Sequence, residues 1–410
     1  RLYAEASFMV NPARNLLNYP RSTKLQEDHE KRIGDSKPGH TLPHYVEIAV
    51  PFHRGKSNRT SLLEICLGTS TGGVSDPNMA AAIDVVLNGV EKTLGDVPNG
   101  RFGMLFTVDR DEIEAMRSLD RLISGYLNDL SSNKPISIAV FGPPGSGKSF
   151  GVKQLVDPRT TPVCEYNLSQ ATAEQLPGFF HEIRDLNLEG KTPLCFFDEF
   201  DSRELELLKS FLAPMQDGKF LERDALRPIG RGIFVFAGGT ARTMKAFVAD
   251  CDPPASKADN RNRTASDRHN FAKAQKKPDF VSRLHMHLDV KGPNAIENNA
   301  KSSEAVQSFE IRANDDPAYI IRRAILLRRF IESFAPGIIF DHEKTASLEP
   351  KLLNALLKVE DYRHGARSLE LLVKAIAQNS NHRSLGRSDL PGNRQLEAFV
   401  SPLASFTTHI

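Results

Sequence analysis

Apolar residues along the chain follow two rhythms. In "ISIAVF", "LCFF" and "IFVFA" they run almost without a break, which predicts strands of a parallel sheet covered on both faces. In "DRDEIEAMRSLDRLISGYLNDL" they fall instead at Ile113, Met116, Leu119, Leu122 and Ile123, the stripe of an amphipathic helix. Leu369, Leu372, Val373 and Ile376 repeat that spacing further on, with Gly365 marking the turn before them. Upstream, "HYVEIAVPF" and "SLLEICLG" predict short strands ahead of the helical "MAAAIDVVLNGVEKTL". Residues 1–45 are polar with scattered Pro and Gly, and the apolar-poor stretch 250–278 predicts a long surface excursion or mobile loop. The character is helical from about residue 293 to about 380, and the last residues have no sustained period. The chain divides accordingly into an N-terminal α+β module of unknown role at 1–114, an α/β core at 115–292, a helical region at 293–385 and a tail at 386–410.

Composition narrows the class. With 410 residues, 40% hydrophobic and 25% charged, the chain can bury a large core and is expected to hold more than one domain. A net charge of +2, from 53 basic against 51 acidic residues, gives no overall pull toward nucleic acid or anionic membrane. Cys66, Cys164, Cys195 and Cys251 lack the close pairing of zinc or redox sites, which points to a reducing, cytoplasmic compartment. No apolar run approaches the ~18 to 20 residues of a membrane span. The start at Arg1, without Met, is expected to be processed or trimmed.

The strongest chemistry lies in "ISIAVFGPPGSGKSF". Gly142 is followed by Pro143, Pro144, Gly145 and Ser146, then by Gly147, Lys148, Ser149 and Phe150, between a predicted strand and a predicted helix. That is the spacing and context of a P-loop. Glycines let backbone N–H groups curl around phosphate oxygens, the helix N-terminus adds a favourable dipole, Lys148 brings a mobile positive charge and Ser149 can ligate Mg²⁺. In "TPLCFFDEFDS" the apolar run ends in Asp198 and Glu199. At the C-terminal end of a parallel strand Asp198 would emerge beside the P-loop and hold Mg²⁺, leaving Glu199 as general base for water attacking the γ-phosphate. Taken alone, the same stretch also reads as a strand followed by a solvated acidic turn.

These motifs, in this order, resemble the AAA+ ATPases. "FLAPMQDGKF", "RPIGRGIFVFAGGT" and "KPDFVSRLHMHLDV" resemble the segments around sensor 1 and the arginine finger of Clp-type members, and "HGARSLELL" resembles sensor 2. The set is also similar to a poorly characterised group of prokaryotic AAA+ proteins. The resemblance implies a P-loop α/β fold with a helical lid at 293–385, ATP and Mg²⁺ as ligands, and a homo-oligomeric ring, most simply a hexamer. It further implies Arg283 as an arginine finger reaching a neighbouring subunit, Thr240 at the sensor 1 position, Asn167 as a restraint on Glu199, and Arg367 as the lid arginine over its own P-loop. Arg363 is the nearest competitor for that last role.

Other features are weaker. Gly178 precedes Phe179 and Phe180, the reverse of the aromatic-apolar-glycine order of translocating rings, so the two rings read as helix anchors in a core. Arg322, Arg323, Arg328 and Arg329 read as a solvated or inter-subunit face, and His285 and His287 as ordinary strand histidines. No spacing supports a protease triad. The preferred function is an ATP-hydrolysing ring protein that remodels an unknown protein partner. A nucleotide-latched signalling scaffold and a nucleic-acid-dependent ATPase are the alternatives.

Overall fold

A computed structural model describes residues 76–410 other than 203–204, 250, 252–268, 271, 297–315, 317, 341–344 and 382. The two strands expected at 44–52 and 61–68, and most of the 250–278 excursion, lie outside the described residues. Among the described residues no helix is long and apolar enough to cross a membrane.

The first elements are helices α1 (Pro77–Asn88) and α2 (Val90–Leu94), a hairpin of β1 (Gly100–Phe102) and β2 (Leu105–Thr107), and the long helix α3 (Arg110–Asn128). The expected boundary at 114/115 falls inside α3. Asp109 caps α3 by accepting the N–H groups of Asp111 and Glu112. The expected stripe is buried at Ile113, Met116, Leu119 and Ile123.

The core is a five-stranded sheet. Its strands are β3 (Ile136–Phe141), β4 (Val163–Asn167), β5 (Leu194–Asp198), β8 (Ile233–Ala237) and β9 (Met286–Asp289), in the spatial order β4-β5-β8-β3-β9, all neighbours parallel. Every residue of β3 and β8 is buried, which is why β8 reads as an unbroken apolar run and β3 as one broken only by Ser137. Between the strands lie α4 (Lys148–Lys153), α5 (Leu176–Leu188), α6 (Leu208–Asp217), the antiparallel hairpin β6 (Lys219–Glu222) and β7 (Ala225–Pro228), and the short helices α7 (Met244–Val248) and α8 (Lys277–Val281).

Two apolar clusters sandwich the sheet. One joins α3 to Ile138, Val140, Phe196 and Val235, and the other gathers Phe141, Phe180, Phe197, Phe211, Phe236 and Phe280 against α5 and α6. Phe180 is buried in the core against Phe211, and Phe179 is half-buried and stacked on Tyr166 at the edge of that core. His285, in the bend just before β9, accepts the Ser137 backbone N–H, while His287 lies within β9.

Beyond the sheet come α9 (Tyr319–Phe334), the two-residue pair β10 (Ile339–Phe340) and β11 (Thr345–Ala346), α10 (Pro350–Lys358), β12 (Asp361–Tyr362) and α11 (Ala366–Asn379). The tail is ordered into α12 (Asn393–Phe399), β13 (Val400–Ser401) and α13 (Leu403–Thr408), and β13 pairs with β12. Helix α1 packs along α9, so residues 77–88 support the helical region directly.

The arginines of α9 correct the sequence reading. Arg322, Arg323 and Arg328 are buried, not solvated. Arg323 donates to the carbonyls of Pro293, Leu357 and Val359 and lies over the rings of Tyr319 and Tyr362. Arg328 donates to the carbonyls of Val86 and Leu87 on α1. Arg322 binds Asp316 through both Nη atoms and reaches Asp109 at 3.2 Å, where Lys291 also binds. These guanidiniums bond the lid internally and to the core.

Candidate functional site

At the C-terminal end of β3 the backbone turns through Gly142, Gly145 and Gly147, the last two at φ 72° and 87°. A Cβ on Gly145 would lie 2.2 Å from the His364 carbonyl oxygen, whereas one on Gly147 would meet nothing nearer than 4.0 Å. The loop is therefore closed on the lid side and open at Gly147. Ser146 Oγ is buried without a hydrogen-bond partner among the described residues. Lys148 Nζ folds back to donate to the carbonyls of Gly142 at 3.0 Å and Pro143 at 3.4 Å. Burial depresses the Lys148 pKa, and the charges of Asp201, Asp198 and Glu199 oppose that shift. Phe150 is partly exposed on the first turn of α4, with Arg329 over its ring.

Asp198 ends β5 in register with Asn167 on β4 and Ala237 on β8, so three strand ends meet beside the loop. Burial and the nearby Glu165 raise the Asp198 carboxyl pKa, against the pull of Lys148 and Lys153. Glu199 follows at φ 56°. Asn167 spends its Oδ1 on the N–H and hydroxyl of Ser169, at 2.9 and 2.7 Å, and makes no hydrogen bond with Glu199. Thr240 lies exposed after β8, its N–H bound to Asp201.

The lid arrives at the loop through backbone. Ala366, the first residue of α11, donates its N–H to the Gly145 carbonyl at 3.1 Å. Arg367 therefore lines a cleft of about 970 Å³ together with Gly145, Ser146, Gly147 and Phe150. Its guanidinium has no hydrogen-bond partner among the described residues, and Arg363 does not line the cleft. Arg283 lies elsewhere. Its Nε and Nη2 both bind Gln216 Oε1, at 3.0 and 2.6 Å, and its Nη1 binds the Asp279 carbonyl.

Several contributors carried no signal that sequence reasoning used. The β1–β2 hairpin walls the cleft, held by Met104 N–H to Gln154 Oε1 at 2.9 Å and by Arg329 to the Met104 carbonyl at 2.8 Å. Glu112 lines the same cleft; burial raises its pKa although Thr107 donates to it at 2.6 Å. Asp201 ties β5 to β8. It sits in the quoted "DEFDS", three residues past Asp198, where it reads as one more solvated acid.

No protein-family model and no curated protein matches the chain. Among solved structures, NtrX from Brucella abortus in complex with ADP matches at 14% identity and TM-score 0.41, over 68% of this chain and 53% of that one. The same protein in complex with ATP matches at 15% and 0.42, over 71% and 57%. The Aeropyrum pernix ORC2 protein, in ADPNP–ADP complexes, matches at 15% and 0.39, over 71% of each chain. The chain thus spans little more than half the length of the NtrX chains. Its own sheet order and glycine loop describe a parallel α/β fold of the P-loop type.

Proposed function

We propose that this chain binds ATP with Mg²⁺ and hydrolyses it, using the helical lid to sense the nucleotide. The observation that carries the reading is the Ala366 N–H to Gly145 carbonyl contact, which sets Arg367 and the P-loop on one cleft. The residues fit a triphosphate: an open backbone at Gly147, an unpartnered Ser146 hydroxyl, and a lysine whose present acceptors are only loop carbonyls. A phosphate entering the loop would offer Lys148 a charged acceptor in their place. Ser149 and Asp198 would hold Mg²⁺, which neutralises developing phosphate charge when bound.

In this reading Glu199 takes the proton of the attacking water, and Arg367 binds the γ-phosphate from its own lid. Loss of that phosphate then frees the lid to move. Arg283, engaged away from its own P-loop, would serve the nucleotide of a neighbouring copy in a ring. Thr240 would orient the attacking water, and a protein partner would receive the motion.

The test is nucleotide binding set against turnover. Glu199→Gln should bind ATP while losing ~10²- to 10⁴-fold in rate, the usual cost of removing a general base. Lys148→Ala should lose tight binding. Wild-type turnover by Glu199→Gln would sink the assignment of the base.

A further inference from the structure

Glu199 adopts φ 56°, a region that non-glycine residues hold only where the surroundings over-determine it. The surroundings are specific. The Ser202 N–H donates to the Glu199 carbonyl at 3.0 Å, closing a tight turn. Phe200 drops from that turn into the phenylalanine cluster, stacked on Phe280. The turn thereby swings the Asp201 carboxylate over the end of β8. There Oδ1 accepts the Gly239 N–H at 2.7 Å, and Oδ2 accepts those of Thr240 at 3.0 Å and Ala241 at 2.8 Å. Three charge-assisted bonds to consecutive amides form a strong, directional clamp. What it clamps lies against Glu199: a Cβ on Gly239 would come within 3.2 Å of Glu199 Cγ.

We propose that Asp201 is a positioning residue for hydrolysis, holding Glu199 in its strained conformation against the 239–241 turn. It acts through Glu199 and touches no nucleotide. The inference rests on the ATPase reading above. Released from the clamp, Glu199 relaxes to negative φ and its carboxylate leaves the position for in-line attack. Lys148 keeps its loop acceptors Gly142 and Pro143 and loses only the distant charge of Asp201, so the rate falls far more than ATP affinity.

The experiment compares Asp201→Asn and Asp201→Ala in the full chain by steady-state ATPase, binding of a fluorescent ATP analogue and hydrogen exchange at residues 239–241. Asp201→Asn keeps the shape and one acceptor but turns an NH₂ toward an amide donor. It should lower kcat by ~10²-fold, leave KM and Kd within about threefold, and speed exchange at 239–241. In a Glu199→Gln background it should cost little more, because the two residues act as a unit. A merely structural role would instead weaken affinity, rate and melting temperature together, and that outcome overturns the proposal, as does a full additive loss with Glu199→Gln. If Asp201→Ala fails to fold, the Asn variant decides. A wild type that turns over no ATP defeats the ATPase reading and this proposal with it. Unchanged kcat in Asp201→Asn from an active wild type defeats the clamp alone.

Discussion

Gly145 and Gly365 meet backbone to backbone. A Cβ on Gly365 would lie 3.0 Å from the Pro144 carbonyl oxygen and 3.5 Å from that of Gly145, and both glycines have positive φ. The P-loop and the entry to the lid helix thus touch with no side chain between them. A methyl group on Gly145 would clash outright with the His364 carbonyl, and one on Gly365 would press on that of Pro144. In the proposed cycle the contact would convert a change in loop position into a change in lid position, because packed backbone has no rotamers to absorb it.

Gly365→Ala should therefore be costly twice over, through its φ of 56° and through contact with Pro144. We expect a loss of about 1–3 kcal/mol in stability from the strained backbone. Weakened ATP binding should accompany it, since Arg367 is the second residue of the helix that Gly365 caps. Chemical denaturation and nucleotide titration of the same variant read the two effects. Wild-type affinity in Gly365→Ala would show that the lid entry does not set the cleft.

Arg323 offers a test of lid stability that is independent of the nucleotide. Its fork satisfies three buried carbonyls on two other segments, and each buried acceptor left unpaired costs ~1–3 kcal/mol. Arg323→Met should destabilise the protein by roughly 3 kcal/mol or more. Arg323→Lys should recover only part of that, because an ammonium cannot reproduce the planar fork. Urea denaturation midpoints rank the three proteins. Equal midpoints would mean the carbonyls find other donors.

Such contacts mark the limit of what was legible in the sequence. The strands β3, β5 and β8 were readable because a strand covered on both faces is apolar at nearly every position, and the P-loop because its glycine spacing is dictated by backbone geometry. Gly365 and the stripe from Leu369 to Ile376 made the helix of Arg367 readable, whereas its role was implied only by the resemblance of "HGARSLELL" to a sensor 2 motif. The burial of Arg322, Arg323 and Arg328 was not readable. Their partners are largely backbone carbonyls, which every residue has, so the pattern "IRRAILLRRF" looks the same solvated or buried. Asp201 is hidden for the same reason: its partners are the amides of Gly239, Thr240 and Ala241, nearly forty residues on in the chain. The β1–β2 hairpin escaped notice because strands of three residues leave no period to detect.

A pH prediction follows from the buried cluster where α3, β9 and α9 converge. Burial alone would raise the Asp109 carboxyl, but Lys291, by hydrogen bond and charge, and Arg322 overcome it and hold its pKa low. Glu112 goes the other way: burial outweighs the Thr107 hydroxyl and the charge of Arg322, with Asp109 adding to the rise. A glutamate whose folded pKa exceeds its unfolded value binds more protons in the native state, so its contribution to stability falls as pH rises through the ordinary glutamate range toward the folded value. Asp109 contributes the opposite slope, its stabilisation present at neutral pH and lost on acidification below the ordinary aspartate range. Glu112→Gln should accordingly gain stability relative to wild type as pH rises from about 4 to 7. Melting curves of the two proteins across that range supply the difference. A difference independent of pH would mean Glu112 titrates alike folded and unfolded.

The last prediction separates the two arginines by geometry. Arg367 stands on the cleft of its own chain, whereas Arg283 is held by Gln216 and the Asp279 carbonyl and makes no contact with its own P-loop. If Arg283 serves a neighbour, Lys148→Ala subunits, inactive but with Arg283 intact, should restore hydrolysis when mixed with Arg283→Ala subunits, whose P-loops are sound. The same donors should leave Arg367→Ala unrescued, because its defect lies in cis. An arginine finger supplied in trans is worth ~10³- to 10⁵-fold in rate, so partial rescue in mixed rings stands clear of background. Hydrolysis per subunit should also rise with protein concentration until the ring is complete. If the rate were independent of concentration and Arg283→Ala as active as wild type, each chain would work alone and the nucleotide would act as a latch within a single subunit.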